Sequence, residues 1–339
     1  MALETRRLGR TGSEVTILGY GAMELRGQPR GPAIRDEDAG RILNAVLDGG
    51  IDLIDTSIDY GRSEELIGRY LSGRRDEYFL ASKCGCPRSS LPGDPVPAPH
   101  DHRPSNVRAG VEQSLRRLRT DRLDLVQVHM SPSRAQLEAD GTVGTLEDLR
   151  DEGKLRFIGM SGTLPNLPDH LAMGVFDVLQ IPYSLVQRDH EDLITQAAEQ
   201  GAGTLIRGGA ARGAPAEDKD WQRGPIGVDV EVARGRWEQA GAEELLDGMS
   251  RMELVIRFTL SHPGLSSAIV GTASFEHLTQ NLAIAEKGPL PADLYELAKK
   301  RFPGPEHREE HREEHREEHR EEHREEHREE HHEERGRTT

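Results

Sequence analysis

The chain has 339 residues and a formal net charge of −16, because 60 Asp and Glu outnumber 44 Lys and Arg. Such an acidic chain is a poor partner for nucleic acid. No run approaches the roughly 18 apolar residues of a membrane span, and the N-terminus lacks the apolar stretch of a signal peptide. The only two cysteines, Cys84 and Cys86, are too close in sequence to staple a fold, so we expect a cytoplasmic protein.

The first predicted element is a short hairpin over residues 6–17, in which a Gly-containing turn separates two strand-like segments. Strand and helix signals alternate after it. Short apolar runs predict strands at 17–23, 51–55, 78–83, 123–129, 157–162, 178–182, 204–206 and 267–270. Apolar residues at helical spacing, with Ser63 and Ser105 as N-caps, predict helices at 36–47, 64–71, 106–118, 145–152, 191–199, 242–259 and 275–284.

This alternation predicts the fold class. Near-continuous apolar runs are typical of strands that are buried on both faces of a parallel sheet. Eight strands that alternate with helices after a hairpin favour an α/β fold, a closed (β/α)8 TIM barrel, over a sandwich or a helix bundle. We expect this barrel to be one domain spanning residues 1–305.

A long connection rich in Gly and charged residues, 211–236, interrupts the alternation after the seventh strand. Connections of this length in compact domains are usually functional or mobile. Because the segment follows a barrel strand, it is expected to overhang the mouth of the barrel. We interpret it either as a lid or as a disordered surface loop.

The C-terminal segment, residues 306–339, repeats the unit HREE and contains no apolar residue. It cannot bury a core, so we predict a tail that is disordered or marginally helical. Histidines four residues apart share one face of a helix, where imidazole pairs bind divalent transition metals. The alternative is a spacer without a metal-binding role.

Four residues point to chemistry at the barrel mouth: Asp55, Lys83 and His129 each close a predicted strand, and Tyr60 follows the first of these strands. The carboxyl ends of barrel strands share one face, so these side chains are expected to converge. An acid, an amine, a phenol and an imidazole in one place indicate proton transfer. Taken singly, each residue also has an ordinary structural interpretation as a hydrogen-bonding or packing residue.

From Thr5 to Leu294 the sequence resembles the aldo-keto reductase family. The segments that carry the resemblance are GYGAMEL, DTSIDYGRSEELIGRYL, FLASKCG, SLRRLRTDRLDLVQVHMSP, KLRFIGMSG, VLQIPYSLVQR and SAIVGTASFEHLTQNL. Their joint occurrence in this order is highly specific. The resemblance implies a TIM barrel that reduces an aldehyde or ketone to an alcohol with NAD(P)H, with Asp55, Tyr60, Lys83 and His129 as the catalytic tetrad.

The expected role of each tetrad residue follows from its chemistry. Hydride transfer leaves negative charge on the substrate oxygen, and Tyr60 is the expected proton donor. A free phenol has a pKa of about 10, which the ammonium of Lys83 is expected to lower. Asp55 would keep Lys83 charged and oriented, and His129 would donate a hydrogen bond to the same oxygen.

The resemblance also implies the cofactor contacts. It places Ser161 and Gln180 at the nicotinamide amide, and Arg207 where an aromatic residue often stacks. Gly271, Thr272, His277, Gln280 and Asn281 match the region that binds the adenosine phosphates, where a helix beginning near Ser274 would suit a phosphate. Gly162 replaces a frequent Asn, and Gly271 and His277 replace a frequent basic pair. NADPH is the expected cofactor, NADH remains an alternative, and Gln280 and Asn281 also fit an exposed polar helix face.

Several features leave alternatives open. Zinc or redox chemistry at Cys84 and Cys86 would need further ligands, so no metal site is predicted and both are interpreted as pocket or loop residues. His100 and His102 either border the substrate site or are solvated. Met23, Met130 and Trp221 are candidate substrate contacts, each equally explained by packing. A regulatory, cofactor-binding module with little turnover is the alternative function. The substrate, the direction of reaction and the oligomeric state cannot be assigned from this sequence.

Overall fold

The computed structural model describes residues 2–28, 31, 33–87, 99–217, 221 and 229–304. The predicted HREE tail lies outside these residues, as does much of the predicted lid segment. Within the described part of the chain, no helix is long and apolar enough to cross a membrane.

Eight parallel strands form a closed barrel, which confirms the predicted (β/α)8 TIM barrel. Each strand pairs with its sequence neighbour, and the last strand closes against the first. The barrel strands are β3 (Leu18–Gly21), β4 (Leu53–Asp55), β5 (Phe79–Cys84), β6 (Leu123–Val128), β7 (Leu155–Ser161), β8 (Val178–Pro182), β9 (Gly203–Arg207) and β10 (Ser267–Val270).

The predicted N-terminal hairpin is also present, as antiparallel strands β1 (Thr5–Arg7) and β2 (Glu14–Thr16). Leu8 and Val15 of this hairpin are fully buried. They belong to a separate apolar cluster in which seven barrel residues take part: Leu53, Phe79, Ala81, Leu125, Val178, Leu205 and Ile269. The backbone at Gly9 lies against Gly203 at the start of β9. The hairpin therefore covers the end of the barrel where the strands begin and leaves the opposite end for a site.

Helices surround the barrel: α1 (Asp36–Asp48), α2 (Ser63–Leu71), α3 (Pro104–Leu118), α4 (Arg134–Asp140), α5 (Thr142–Asp151), α6 (Leu167–Met173), α7 (Glu191–Glu199), α8 (Val230–Gln239), α9 (Arg251–Leu260), α10 (Phe275–Glu286) and α11 (Ala292–Arg301). Their buried faces pack with the outward-facing strand residues into the main core. The sequence analysis did not predict α4, α6, α8 or α11.

Three predicted helix starts differ from the structure. Ser63 is the first residue of α2, and its hydroxyl bonds to Thr56 Oγ1 at 2.8 Å, so it does not cap the helix. The helix predicted over 106–118, with Ser105 as its N-cap, begins two residues earlier, at Pro104, because proline is well suited to the first helical turn. The helix predicted over 242–259 is divided into a 3-10 turn, Ala242–Leu245, and α9, which Ser250 caps.

The C-terminal part of the predicted lid segment lies in helix α8. Asp229 caps α8, and Trp237 of that helix packs edge-on against Trp221, with ring centroids 5.6 Å apart. Both indole side chains are buried, so Trp221 contributes to packing beside α8. Of the other two candidate substrate contacts, Met23 lines the large cleft described below, whereas Met130 is 62% exposed.

Candidate active site

The barrel brings the four predicted residues to its open end. Asp55 is the last residue of β4, Lys83 is the penultimate residue of β5, and His129 directly follows β6. These three strands are consecutive neighbours in the barrel. Tyr60 lies in the connection between β4 and α2, half-buried. The convergence follows from strand order, because parallel neighbours end at the same edge.

Asp55 and Lys83 form a buried ion pair. Lys83 Nζ donates to Asp55 Oδ2 at 2.7 Å and to the Thr56 carbonyl at 2.8 Å. The two side chains are only 6% and 1% exposed. Burial opposes the charged form of Lys83, but the negative charge of Asp55 outweighs it, so the pKa of Lys83 is raised above its ordinary value. Lys83 therefore carries a permanent positive charge beneath the site.

Two amide side chains complete the surroundings of Asp55. Gln127 Nε2 and Gln180 Nε2 both donate to Asp55 Oδ1, at 2.8 and 2.9 Å. Ser161 in turn donates to Gln180 Oε1 at 3.0 Å. Gln127 was not among the predicted site residues. Its position as a polar residue inside the apolar run LDLVQVH could have indicated a buried polar contact. These bonds hold the Asp55 carboxylate in one orientation toward Lys83.

Tyr60 lies above this pair. Lys83 Nζ is 4.9 Å from the centroid of the Tyr60 ring. Burial raises the pKa of Tyr60, and the charge of Lys83 lowers it as predicted, but burial is the larger effect and the pKa is raised overall. The expected lowering by Lys83 is therefore present, but it does not set the sign of the overall shift. The phenol keeps its proton near neutral pH, which is the form that a proton donor needs.

His129 lies on the other side of Tyr60, with the two rings edge-on and their centroids 6.4 Å apart. Burial lowers the pKa of His129 to about 3, despite the opposing charge of Asp59, so the imidazole is neutral. Its Nδ1 lies 3.2 Å from Cys86 Sγ and 3.8 Å from Asp59 Oδ2. Burial also raises the pKa of the Cys86 thiol well above its usual range, so the thiol is protonated.

His100 and His102 also reach this region. His102 is 6% exposed, and its Nε2 bonds to the His129 carbonyl at 2.9 Å. His100 Nε2 lies 3.8 Å from Asp59 Oδ2, and its side chain is 19% exposed. Of the two alternatives for these residues, His102 is therefore buried and not solvated, whereas His100 is partly buried. His102 ties the loop to the end of β6, and His100 faces the same acidic side chain as His129.

A cleft of about 1080 Å³ opens beside Tyr60. It runs from the strand ends to the first turns of α10. Nine of the twelve residues predicted for catalysis or cofactor binding line it: Asp55, Tyr60, Gln180, Arg207, Gly271, Thr272, His277, Gln280 and Asn281. The other three each contact a lining residue: Lys83 contacts Asp55, His129 contacts Tyr60, and Ser161 contacts Gln180. Arg212 and Gly213, from the start of the predicted lid segment, also line the cleft.

The far end of the cleft contains a helix N-terminus. Ser274 caps α10, accepting a hydrogen bond from the His277 amide at 3.3 Å. Gly271 directly follows β10, where a Cβ atom would lie only 2.5 Å from the Gly21 carbonyl oxygen. Glycine is therefore required at that close approach. The exposed amides of a first helical turn favour an anion, although Glu276 adds a negative charge to this end.

Arg207 occupies the middle of the cleft. Its Nε is buried and makes no hydrogen bond to any described residue. Burial lowers the pKa of Arg207, while the nearby Tyr60 raises it.

At Gly162, the second position where this chain departs from the family pattern, a Cβ would lie 2.7 Å from Leu167 Cδ1. The space that a larger residue would need there is filled by α6.

Comparison with known proteins identifies the family. The model of the Aldo/keto reductase family matches residues 17–300. The uncharacterized oxidoreductase YqkF of Bacillus subtilis is 26% identical over 84% of this chain and 91% of its own length. L-galactose dehydrogenase of Arabidopsis thaliana is 28% identical over 83% and 88%. The holo form of aldo-keto reductase AKR11C1 from Bacillus halodurans has a TM-score of 0.76 and 26% identity, covering 89% of this chain and 97% of that one. The chain belongs to the aldo/keto reductase family of NAD(P)H-dependent oxidoreductases.

Proposed function

We propose that this protein reduces a small aldehyde or ketone to an alcohol, with Tyr60 as the proton donor. The observation that carries the proposal is the arrangement around Tyr60. A protonated phenol lines a large cleft, directly above a buried Lys83–Asp55 ion pair and beside a neutral imidazole. This combination supplies a proton and stabilises the anion that its loss leaves behind.

The cleft fits an anionic dinucleotide. Its lining combines the unpaired Nε of Arg207, the first turn of α10 and the close backbone approach at Gly271. When bound, NAD(P)H supplies the hydride. Gln180 and Ser161 would hold the nicotinamide amide, Arg207 would lie against the ring, and Gly271, Thr272, His277, Gln280 and Asn281 would hold the adenosine phosphates.

The Lys83 side chain makes Tyr60 an effective acid. Donation of the phenolic proton leaves a phenolate, whose negative charge is stabilised by the ammonium 4.9 Å from the ring centroid. Asp55 keeps that ammonium charged and in place, and Gln127 and Gln180 keep Asp55 in place. General acid catalysis of this kind contributes about 10²–10⁴-fold to a rate.

His129 is the proposed second donor to the substrate oxygen. In this proposal the Cys86 thiol, 3.2 Å from Nδ1, donates to Nδ1, and the ring proton resides on Nε2. The imidazole can then donate from Nε2 while remaining neutral. Cys86 acts through His129, as a positioning residue.

The experiment that tests this function is turnover of a reactive aromatic aldehyde with NADPH and with NADH. Tyr60→Phe should lower kcat by about 10²–10⁴-fold, because it removes the proton and little volume. Tyr70→Phe, a half-buried tyrosine on α2 outside the cleft lining, is the matched control and should retain activity. Unchanged kcat in Tyr60→Phe would refute the mechanism. Cofactor binding without multiple turnovers in the parent protein would instead favour the regulatory module.

NADPH is the proposed cofactor, on the strength of the family resemblance. The position that often carries a basic residue holds His277, at the first turn of α10. His277→Arg should therefore lower the Kd for NADPH by about tenfold through a charge-assisted hydrogen bond, with little change for NADH. Fluorescence titration with both cofactors measures this. An equal effect on NADH would show that the added charge does not meet the extra phosphate.

We also propose the cytoplasm as the place of action. Both cysteines are buried free thiols, which fits a reducing compartment. The proposed substrate is a small carbonyl compound.

A further inference from the structure

Four metal-ligating side chains from separate parts of the chain meet on the His129 side of Tyr60. Asp59 comes from the loop after β4, Cys86 and His100 from the connection after β5, and His129 from the end of β6. One ligand atom from each lies within 4.8 Å of all the others. In the sequence, the two cysteines had no further zinc ligands near them. The fold brings three such ligands, Asp59, His100 and His129, to Cys86.

We propose that Asp59, Cys86, His100 and His129 form a binding site for a Zn²⁺ ion beside the catalytic cleft. A carboxylate, a thiolate and two imidazoles are the ligand types that Zn²⁺ takes in tetrahedral sites. The inference does not depend on the proposed reaction, because it rests on the donor atoms and their spacing alone.

The spacing fits a tetrahedron better than a hydrogen-bonded cluster. Zinc–nitrogen and zinc–sulfur bonds of about 2.0–2.3 Å place neighbouring ligand atoms about 3.3–3.6 Å apart. The Cys86 Sγ–His129 Nδ1 distance is 3.2 Å, and Asp59 Oδ2 lies 3.8 Å from both His129 Nδ1 and His100 Nε2. The remaining pairs lie within 4.8 Å and need to contract by at most about 1.5 Å.

One donor atom has no other function in the described structure. His100 Nε2 is buried and makes no hydrogen bond to a described residue, while it points at Asp59. A buried ring nitrogen without a partner is costly, and a metal ion would satisfy it. Ser57 donates to Asp59 Oδ1, while Asp59 Oδ2 lies 3.8 Å from His100 Nε2 and from His129 Nδ1.

Hydrogen bonds outside the cluster hold the ligands in position. Asn106 Nδ2 donates to the Cys86 carbonyl at 3.2 Å and to the Asp101 carbonyl at 2.7 Å. The Asp101 amide donates to the Gly85 carbonyl at 2.9 Å. The ends of the loop that bear Cys86 and His100 are thereby tied together. Such outer contacts orient metal ligands and support affinity.

The charges also balance. Binding releases the Cys86 thiol proton to solvent, and the thiolate and the Asp59 carboxylate then neutralise the two charges of the ion. A neutral cluster is far less costly to bury than an isolated ion. Since the metal would bind His129 through Nδ1, the ring proton would stay on Nε2, the nitrogen assigned to the substrate. The site would therefore hold the His129 ring in the orientation that the proposed reaction uses.

Cobalt titration of the full chain tests the site. Co²⁺ bound to a thiolate gives a sulfur-to-metal charge-transfer absorption in the near ultraviolet, and histidine-rich segments such as the HREE tail contain no thiol. We expect this band in the parent protein and its loss on addition of Zn²⁺. Absence of the band would overturn the proposal, as would Co²⁺ binding that shows no thiolate absorption.

Matched variants locate the ligands. Cys86→Ala should abolish the band, whereas Cys84→Ala, at the other buried cysteine, should retain it. His100→Ala should weaken Co²⁺ binding by more than about tenfold. A band that persists in Cys86→Ala, or disappears in Cys84→Ala alone, would refute the site. Tyr60→Phe removes no ligand and should bind Co²⁺ normally, so failure of the metal site and failure of the proposed reaction are distinguishable. Circular dichroism of each variant checks that it is folded.

Discussion

The two sides of Tyr60 contrast sharply in how their polar groups are satisfied. On the first, which we call the Lys83 side, Lys83, Gln127 and Gln180 contact Asp55 at 2.7–2.9 Å. On the second, the His129 side, Cys86 Sγ lies 3.2 Å from His129 Nδ1. Asp59 Oδ2 lies 3.8 Å from both His129 Nδ1 and His100 Nε2. The contacts on the Lys83 side are at hydrogen-bond distance. Most distances on the His129 side are longer than a direct hydrogen bond and leave space for a bound ion between the groups.

The difference indicates two kinds of contribution to one site. A buried ion pair with complete hydrogen bonding is rigid, and removal of one member leaves an uncompensated charge. On the His129 side the groups are neutral, apart from one charge, and are more widely spaced. Substitution there should therefore lower the free energy of unfolding less, and the groups can adapt to a ligand. We therefore expect the Lys83 side to govern both folding stability and turnover, and the His129 side to govern turnover and metal binding.

The largest expected effect is that of Lys83→Met. It leaves the Asp55 carboxylate buried without its cation, which should lower the free energy of unfolding by about 3–5 kcal/mol and abolish turnover. Urea denaturation measures the first effect and the aldehyde assay the second. Lys154→Met, which removes solvent-accessible ion pairs with Glu112 and Glu152, is the control and should cost at most about 1 kcal/mol.

A double variant sharpens this prediction. Adding Asp55→Asn to Lys83→Met removes the unpaired charge and retains an oxygen that Gln127 and Gln180 can still contact. Part of the lost stability should return, while turnover stays absent. If the double variant were less stable than Lys83→Met, the Asp55 charge would not be the source of the destabilisation.

An intermediate effect is expected for His129→Leu on the other side. Loss of a hydrogen-bond donor to the substrate oxygen should lower kcat by about 10²–10³-fold. The free energy of unfolding should change by about 1 kcal/mol, the usual size for a point substitution. Steady-state kinetics and denaturation of the same sample measure both. A loss of stability as large as that of Lys83→Met would contradict the proposed difference between the two sides.

The smallest expected effect is that of Cys86→Ala in metal-free buffer. It removes one hydrogen bond to His129 Nδ1, worth about 0.5–1.5 kcal/mol, so kcat should fall by about two- to tenfold. Cys84→Ala should leave kcat within about twofold, because the Cys84 side chain belongs to the main apolar core. Equal kinetic effects of the two substitutions would show that packing, and not the bond to His129, is responsible.

The main features of the fold could be predicted from the sequence because parallel barrel strands have a strong local signature. All eight apolar runs correspond to barrel strands, and the hairpin is present. Helix boundaries were less predictable. The start of α3 at Pro104 and the division of 242–259 depend on local turn geometry, and α8 depends on the packing of Trp237 against Trp221 and Phe302.

The sequence by itself determined which residues meet at the barrel mouth, because strand ends carry Asp55, Lys83 and His129, and strand order brings them together. Only the tertiary structure decided their electrostatics. Burial keeps Tyr60 protonated despite Lys83, and Gln127 becomes a partner of Asp55 through a neighbouring strand. The cluster of Asp59, Cys86, His100 and His129 likewise arises from loop closure, which brings together residues as far as 70 positions apart. Neither the burial of Tyr60 nor these contacts between distant residues could be predicted from the spacing of residues along the sequence.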